Sequence, residues 1–341
     1  MGIILRIIIV LAAVGIKFFA GADSLPLMIV FLAAGFFMLI KGADWFVDGA
    51  SGVADRFGIS QLMIGLTIVA FGTSAPEAAV SITAATRGSG VDIAIGNVLG
   101  SNIMNILLIL GLSALICPLP VQKSTKKIEI PSVIFVTILV LGLGMPDGEM
   151  GRTDGFILLG LMAVFLIYTI GLARKGGSSG EETEIKKLSV YELILNIICG
   201  GAAIVLGSDI TVSSATSIAR VMGMSEKLIG LTIIAFGTSL PELITSCVAS
   251  AKKKPDIAVG NIVGSNIFNI LFVLAISAAI TPLPYRNPAT GADFFIDNLV
   301  AVGAAVILMA AVLNKDSKIK RSFGFIMLLA YAAYFTHLLM A

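Results

Sequence analysis

GLTIVAFGTSAPEAAVSITAAT (65–86) and GLTIIAFGTSLPELITSCVASA (230–251) agree at 13 of 22 positions. Each is followed by a second matching block. DIAIGNVLGSNIMNILLILGLSALICPLP (92–120) and DIAVGNIVGSNIFNILFVLAISAAITPLP (256–284) agree at 19 of 29. Apolar segments share Leu, Ile and Ala by composition alone. Shared Gly, Thr, Ser, Pro, Glu and Asn at a fixed offset are not composition effects, so the chain is an internal duplication. The offset is 165 before the intervening loop and 164 after it, which places a one-residue deletion in that loop.

The composition around these blocks sets the solvent. Of 341 residues, 57% are hydrophobic and 13% charged, with a mean hydropathy of +1.02, whereas a soluble domain carries roughly 25% charged residues. So much apolar surface has to face lipid. A spanning helix needs about 20 mostly apolar residues. Such stretches lie near 25–40, 61–86, 91–116, 130–145 and 154–173, and again near 190–206, 228–251, 256–281, 294–313 and 323–340. KGGSSGEETEIKKL (175–188), polar and glycine-rich, reads as a linker between 24–174 and 189–341. The expected fold is an all-α polytopic membrane protein of two five-helix repeats, ten core helices in all. Residues 1–23 stand outside the duplication. Arg6, an apolar run and Ala20-Gly21-Ala22 fit either a removed signal peptide or an eleventh helix, and Lys17 in the run favours the helix.

An odd number of spans per repeat inserts the second copy upside down. The basic residues bear this out in pattern: sixteen fall on the face holding the loop after the first of the ten helices, five on the other, and Arg6 and Lys17 precede both. Lys and Arg accumulate in cytoplasmic loops, so the linker 175–188 is expected in the cytoplasm of a cell-membrane protein. Equivalent loops, Arg87–Gly90 and Lys252–Lys254, then lie on opposite faces. An inverted-topology repeat is a common build for secondary transporters.

Several function classes drop out. The net charge of +2 argues against a nucleic-acid partner. Three scattered cysteines (Cys117, Cys199, Cys247) suit neither a disulfide framework nor a thiolate metal site. With His337 alone near the C-terminus, and no H-E-x-x-H or G-x-S-x-G, no catalytic residue and no cofactor is predicted.

Glu77 and Glu242 carry the chemistry. Both lie well inside apolar helices, where an ionisable residue is a functional hypothesis by default. No Lys or Arg shares those helices near them, so the natural counter-charge is a bound cation. Pro76 has no N–H for the Gly72 carbonyl, so the helix kinks or breaks there and frees carbonyls around Ala70 and Thr73. Ala70, Thr73, Ser74 and Glu77 follow i, i+3, i+4, i+7 and share one face; Ala235, Thr238, Ser239 and Glu242 repeat the arrangement. A second stripe recurs every four residues in the next helices: Asn97, Ser101, Asn105 and Asn261, Ser265, Asn269. GNVLG and GNIVG read as close helix packing, Asn102 and Asn266 as bonds across helices, and Asp92 and Asp256 as N-caps. All the candidate ligands are hard oxygens, suited to sodium or calcium and not to zinc or copper. Two carboxylates are neutralised by one calcium or two sodium ions, and that competition is the core of an antiporter.

The paired GTSAPE…GNVLGSNIMN and GTSLPE…GNIVGSNIFN resemble the alpha repeats of the cation/calcium exchanger superfamily, most closely its prokaryotic sodium/calcium exchangers. The resemblance covers about residues 24–341. It implies alternating access, with calcium and sodium as the transported ions, and ion-coordinating roles at Ala70, Thr73, Ser74, Glu77, Ser101 and Asn105. In the second repeat it implies the same for Ala235, Thr238, Ser239, Glu242, Ser265 and Asn269. Potassium-dependent relatives have Asp where this chain has Asn269. Proton-coupled exchange is the alternative; a cation channel fits the internal inverted pair less well. Beyond ions and the bilayer no partner is implied, and a single chain suffices.

Overall fold

The computed structural model describes residues 24–87, 91–174, 188–224, 235–288 and 292–340. Ten helical stretches account for nearly all of them. In chain order they are α1 (Leu25–Phe57), α2 (Gln61–Thr73 and Ala75–Arg87, bent by 49°), α3 (Asp92–Ile116), α4 (Thr125–Asp147) and α5 (Arg152–Arg174). The second five are α6 (Val190–Val221), α7 (Ala235–Gly237 and Leu240–Ala251), α8 (Pro255–Ile280), α9 (Phe295–Val312) and α10 (Arg321–Met340). The candidate eleventh helix, residues 175–187 of the linker and residues 228–234 of the seventh predicted span lie outside the described residues. Among those described, eight helices are long and apolar enough to cross a membrane, and the bent α2 makes a ninth.

Two helices outrun their apolar cores. α1 has 33 residues and α6 has 32, because each continues as a helix past the apolar run and packs along the other. Gly35 lies against Gly207, Gly42 against Gly200, and Gly49 against Asn196. A Cβ on Gly42 would stand 2.9 Å from the Gly200 carbonyl, and one on Gly200 would stand 2.7 Å from the Phe46 nitrogen. Only glycine permits so close an approach. Lys41, expected in a loop, therefore sits mid-way along α1, and the excess of basic residues on that face stands without it. Asp44 and Asp48 on the same helix pair with Lys252 at 2.6 and 2.8 Å, tying α1 to the α7–α8 turn.

Numbers rise along α1 as they fall along α6, so these equivalent helices run antiparallel. The short strands say the same. β1 (Leu119–Pro120) pairs with β6 (Lys318–Ile319), and β2 (Glu149–Met150) with β3 (Leu283–Pro284), while β4 (Arg286–Asn287) and β5 (Ala292–Asp293) form a hairpin. The 23 residues of α4 separate β1 from β2 by about 35 Å at 1.5 Å per residue. β1 and β3 are equivalent in the duplication yet stand at opposite ends of the bundle. The two copies are inverted with respect to each other.

α3 and α8 form the centre, with Ile95, Leu99, Ile103, Ile262, Val263 and Ile267 all buried. α5 and α10 turn Phe156, Val164, Ile167, Phe325 and Leu329 outward, the lipid-facing belt that the composition demands. Asp92 and Asp256 are not N-caps. Val91 and Lys254 occupy those positions, and neither helix start has a side-chain cap. Both aspartates instead accept from loops of the other copy: Asp92 from Asn287 Nδ2 at 2.9 Å, Asp256 from Gln122 Nε2 at 2.7 Å. A loop amide within reach outcompetes the local backbone N–H.

Candidate ion-binding site

Both proline signatures break their helices at the preceding serine. Ser74 has φ −81°, ψ 7° and Ser239 φ −91°, ψ 6°, a sparsely populated conformation that recurs at functional sites. Pro76 and Pro241, two residues on, have no N–H for the helix ladder. Each half-helix then restarts with its glutamate in the first turn, so Glu77 and Glu242 approach the centre on the N-terminal ends of half-helices.

Across the break the two copies grip each other. Ser74 Oγ donates to Glu242 Oε1 at 2.9 Å, and Ser239 Oγ donates to Glu77 Oε1 at 3.1 Å. Ser101 Oγ lies 3.2 Å from Ser239 Oγ, and Ser265 Oγ lies 3.5 Å from both Glu242 Oε1 and the Ala70 carbonyl. Thr73 Oγ1 reaches Asn261 Oδ1 at 3.0 Å, and Thr238 Oγ1 reaches Asn97 Oδ1 at 3.4 Å. The structure thus brings Ala70, Thr73, Ser74, Glu77, Ser101, Thr238, Ser239, Glu242 and Ser265 into one cross-bonded cluster. Ala235 begins the first half of α7, with only its backbone described.

Asn105 and Asn269 stand where α3 and α8 change pitch. Wide π-helical turns begin at each, Asn105–Leu110 and Asn269–Leu274, and such turns are frequent at functional sites. Their amides cross the interface. Asn105 Nδ2 donates to Asn266 Oδ1 at 3.2 Å, and Asn269 Nδ2 donates to Asn102 Oδ1 at 3.0 Å. The expectation that Asn102 and Asn266 bond across helices is met.

Among the predicted ligands, four buried acceptors are without a hydrogen-bond partner: Glu77 Oε2, Glu242 Oε2, Asn105 Oδ1 and Asn269 Oδ1. All four residues are fully buried, and among the described residues no ion pair involves either glutamate. Buried acceptors normally find donors. A matched set that finds none, two from each copy, is what a desolvated cation needs. Among the described residues no three His, Cys, Asp or Glu side chains come together. The donor set of the cluster is two carboxylates and neutral oxygens, which suits a hard cation as cargo.

The Na_Ca_ex family, described as sodium/calcium exchanger protein, matches residues 27–171 and 192–340. The chain belongs to the sodium/calcium exchanger protein family. Its relatives in that family include CaxA of Alkalimonas amylolytica, 41% identical over 311 residues that cover 89% of this chain and 96% of CaxA. The sodium/calcium exchanger MaX1 of Methanosarcina acetivorans is 30% identical, covering 89% of this chain and 96% of MaX1. Among solved structures, the sodium-calcium exchanger NCX_Mj soaked without sodium or calcium superposes with a TM-score of 0.79 at 32% identity. That match covers 92% of this chain and 100% of NCX_Mj.

Two supports of the cluster escaped the sequence reading. Ser81 and Ser246 accept the amides of Asn97 and Asn261, each at 3.0 Å, and so hold the second stripe against the glutamate half-helices. Their signal was present: both serines occupy one matched position of the duplication, a helical turn beyond the glutamates. The GNIVG packing is also plain. A Cβ on Gly260 would lie 2.7 Å from the Leu62 carbonyl, and one on Gly264 equally close to that of Leu66. Among the described residues Gly100 meets nothing within 4 Å, and the segment equivalent to Leu62–Val69, residues 227–234, falls outside them.

Proposed function

We propose that this protein exports calcium in exchange for sodium, by alternating access to the cage between Glu77 and Glu242. The observation that carries the reading is the set of four buried, unpartnered acceptor oxygens, two on the glutamates of the helix breaks and two on the asparagines at the π-turns of α3 and α8. The carboxylates of Glu77 and Glu242 supply the charge, and the amide oxygens of Asn105 and Asn269 add neutral ligands. Hydroxyls of Thr73, Ser74, Ser101, Thr238, Ser239 and Ser265 surround them, with the carbonyls of Ala70 and Ala235. Calcium takes six to eight oxygens, a number this set meets. A charge of −2 is cancelled by one calcium ion or by two sodium ions, so occupancy by one excludes the other. The names of MaX1 and NCX_Mj support the same pair of ions.

Inversion supplies the second requirement, since two copies related in this way offer equivalent exits to both faces of a membrane. The excess of Lys and Arg on the face of the linker 175–188 supports a cytoplasmic position for it, with the protein in the cell membrane. Calcium uptake by proteoliposomes loaded with sodium tests the proposal. Uptake that saturates and collapses when internal sodium is replaced by choline is the expected result. Uptake driven by a proton gradient and indifferent to sodium would replace it with the proton-coupled alternative.

A further inference from the structure

Resting on the reading of the central cluster as an ion cage, we propose that Asn102 and Asn266 are positioning residues. They set which end of the Asn269 and Asn105 amides faces the ion. A buried asparagine presents either a carbonyl oxygen, which binds a cation, or an NH2 group, which repels one. The two ends are nearly equal in size, so packing alone does not choose between them. Hydrogen bonding does.

The choice starts from a group that cannot be reversed. Asn102 Nδ2 donates to the backbone carbonyl of Asn266 at 3.1 Å, and a carbonyl only accepts. Turning the Asn102 amide would set oxygen against oxygen, so Oδ1 is committed to the opposite side. There it meets Asn269 Nδ2 at 3.0 Å, and only a donor satisfies it. Asn269 must therefore spend its NH2 on Asn102, which leaves its Oδ1 as the unpartnered acceptor. The other arm is looser. Asn266 Oδ1 accepts from Asn105 Nδ2 at 3.2 Å, but Asn266 Nδ2 has no partner among the described residues. All four asparagines are buried, so water does not relax the requirement.

The lock also fixes the charge of the cage. A carboxylate at position 269 would point an acceptor at Asn102 Oδ1, which itself has no means of becoming a donor. The Asn102 arm thus selects an amide over an aspartate at position 269 and holds the cage at two carboxylates. Selection at position 105 is weaker, because Asn266 lacks the anchored second bond.

A double-substitution cycle in proteoliposomes carrying the full chain tests this, with sodium-driven calcium uptake as the readout. Asn102→Ala is expected to raise the calcium KM about tenfold, the effect of one buried hydrogen bond left unmade, with the maximal rate within about twofold of wild type. Asn269→Asp is expected to raise KM by a factor at least about fivefold larger in the Asn102 background than in the Asn102→Ala background. The corresponding coupling between Asn266→Ala and Asn105→Asp should be smaller. A purely packing role for Asn102 predicts that the effects multiply independently, and that result overturns the lock. Should Asn102→Ala elute as aggregate, the same cycle on Asn102→Ser decides the matter by the same criterion. Wild-type vesicles that show no sodium-driven calcium uptake would defeat the exchanger reading itself. Wild-type transport with no coupling would defeat the lock alone.

Discussion

Glu242→Gln exchanges one atom of the cage and leaves its shape alone, so its consequence can be worked from the hydrogen bonds. The glutamine oxygen keeps the bond from Ser74 Oγ, 2.9 Å in the wild type. Its NH2 then occupies the place of Oε2, the acceptor without a partner, and turns two hydrogens towards the ion. With calcium bound, the net charge of the cage changes from zero to +1 in a fully buried place. Removing one partner of a buried ion pair costs about 3–5 kcal/mol, or between two and nearly four decades of affinity at about 1.4 kcal/mol per decade. Thermal unfolding in detergent with and without calcium reads this directly. Calcium at about 100 times the wild-type Kd adds ~2.7 kcal/mol to stability. A Kd raised a hundredfold leaves only ~0.4 kcal/mol of that gain. The ion-free variant should unfold no earlier than wild type, because the lost group was a buried charge with an unsatisfied oxygen. Exchange in proteoliposomes should be abolished. A wild-type calcium shift in melting temperature, with exchange within about threefold of normal, would refute the assignment of Glu242 as a ligand.

Glu77→Gln should behave alike, since Ser239 bonds Glu77 as Ser74 bonds Glu242. Gly260→Ala places a methyl group 2.7 Å from a backbone carbonyl of α2. It should cost about 1–3 kcal/mol of stability, whereas Gly160→Ala on α5, with none of the described residues within 4 Å, should leave the melting temperature unchanged or slightly raised. A cysteine introduced as Lys253→Cys should react with an impermeant reagent only after cells are opened, and Arg87→Cys on intact cells; the reverse pattern would invert the orientation. Sodium-driven calcium uptake should proceed at full rate without potassium, because Asn269 supplies no third carboxylate. An obligatory potassium requirement, measured in potassium-free vesicles, would disprove this.

The duplication makes much of the candidate site legible in the sequence. A glutamate, a serine or an asparagine retained at one offset in two apolar blocks is visible without an alignment, because the chain serves as its own comparison. Other features were less accessible. The lengths of α1 and α6 exceed their apolar runs, since the later turns are held by glycine contacts between the helices and by the Asp44 and Asp48 pairs with Lys252. Asp92 and Asp256 carried the pattern of N-caps, yet loops distant in sequence supply their partners. Local pattern predicts only the nearest available donor.

Read along its length, the chain establishes the solvent, the two copies, their inverted sense and the residue types of the central cluster. These follow from composition, from matched offsets and from the sidedness of charge, all of which are properties of a chain read along its length. Only the tertiary structure decided which copy satisfies which residue. The serine beside each glutamate bonds the other glutamate, and the amide that orients Asn269 comes from α3. Periodicity relates residues on one helix, whereas these bonds join residues more than 160 positions apart through the crossing of α3 and α8 and the meeting of two helix breaks. Glu77 and Glu242 at that meeting, and Asn105 and Asn269 on α3 and α8, each keep one buried acceptor oxygen without a partner.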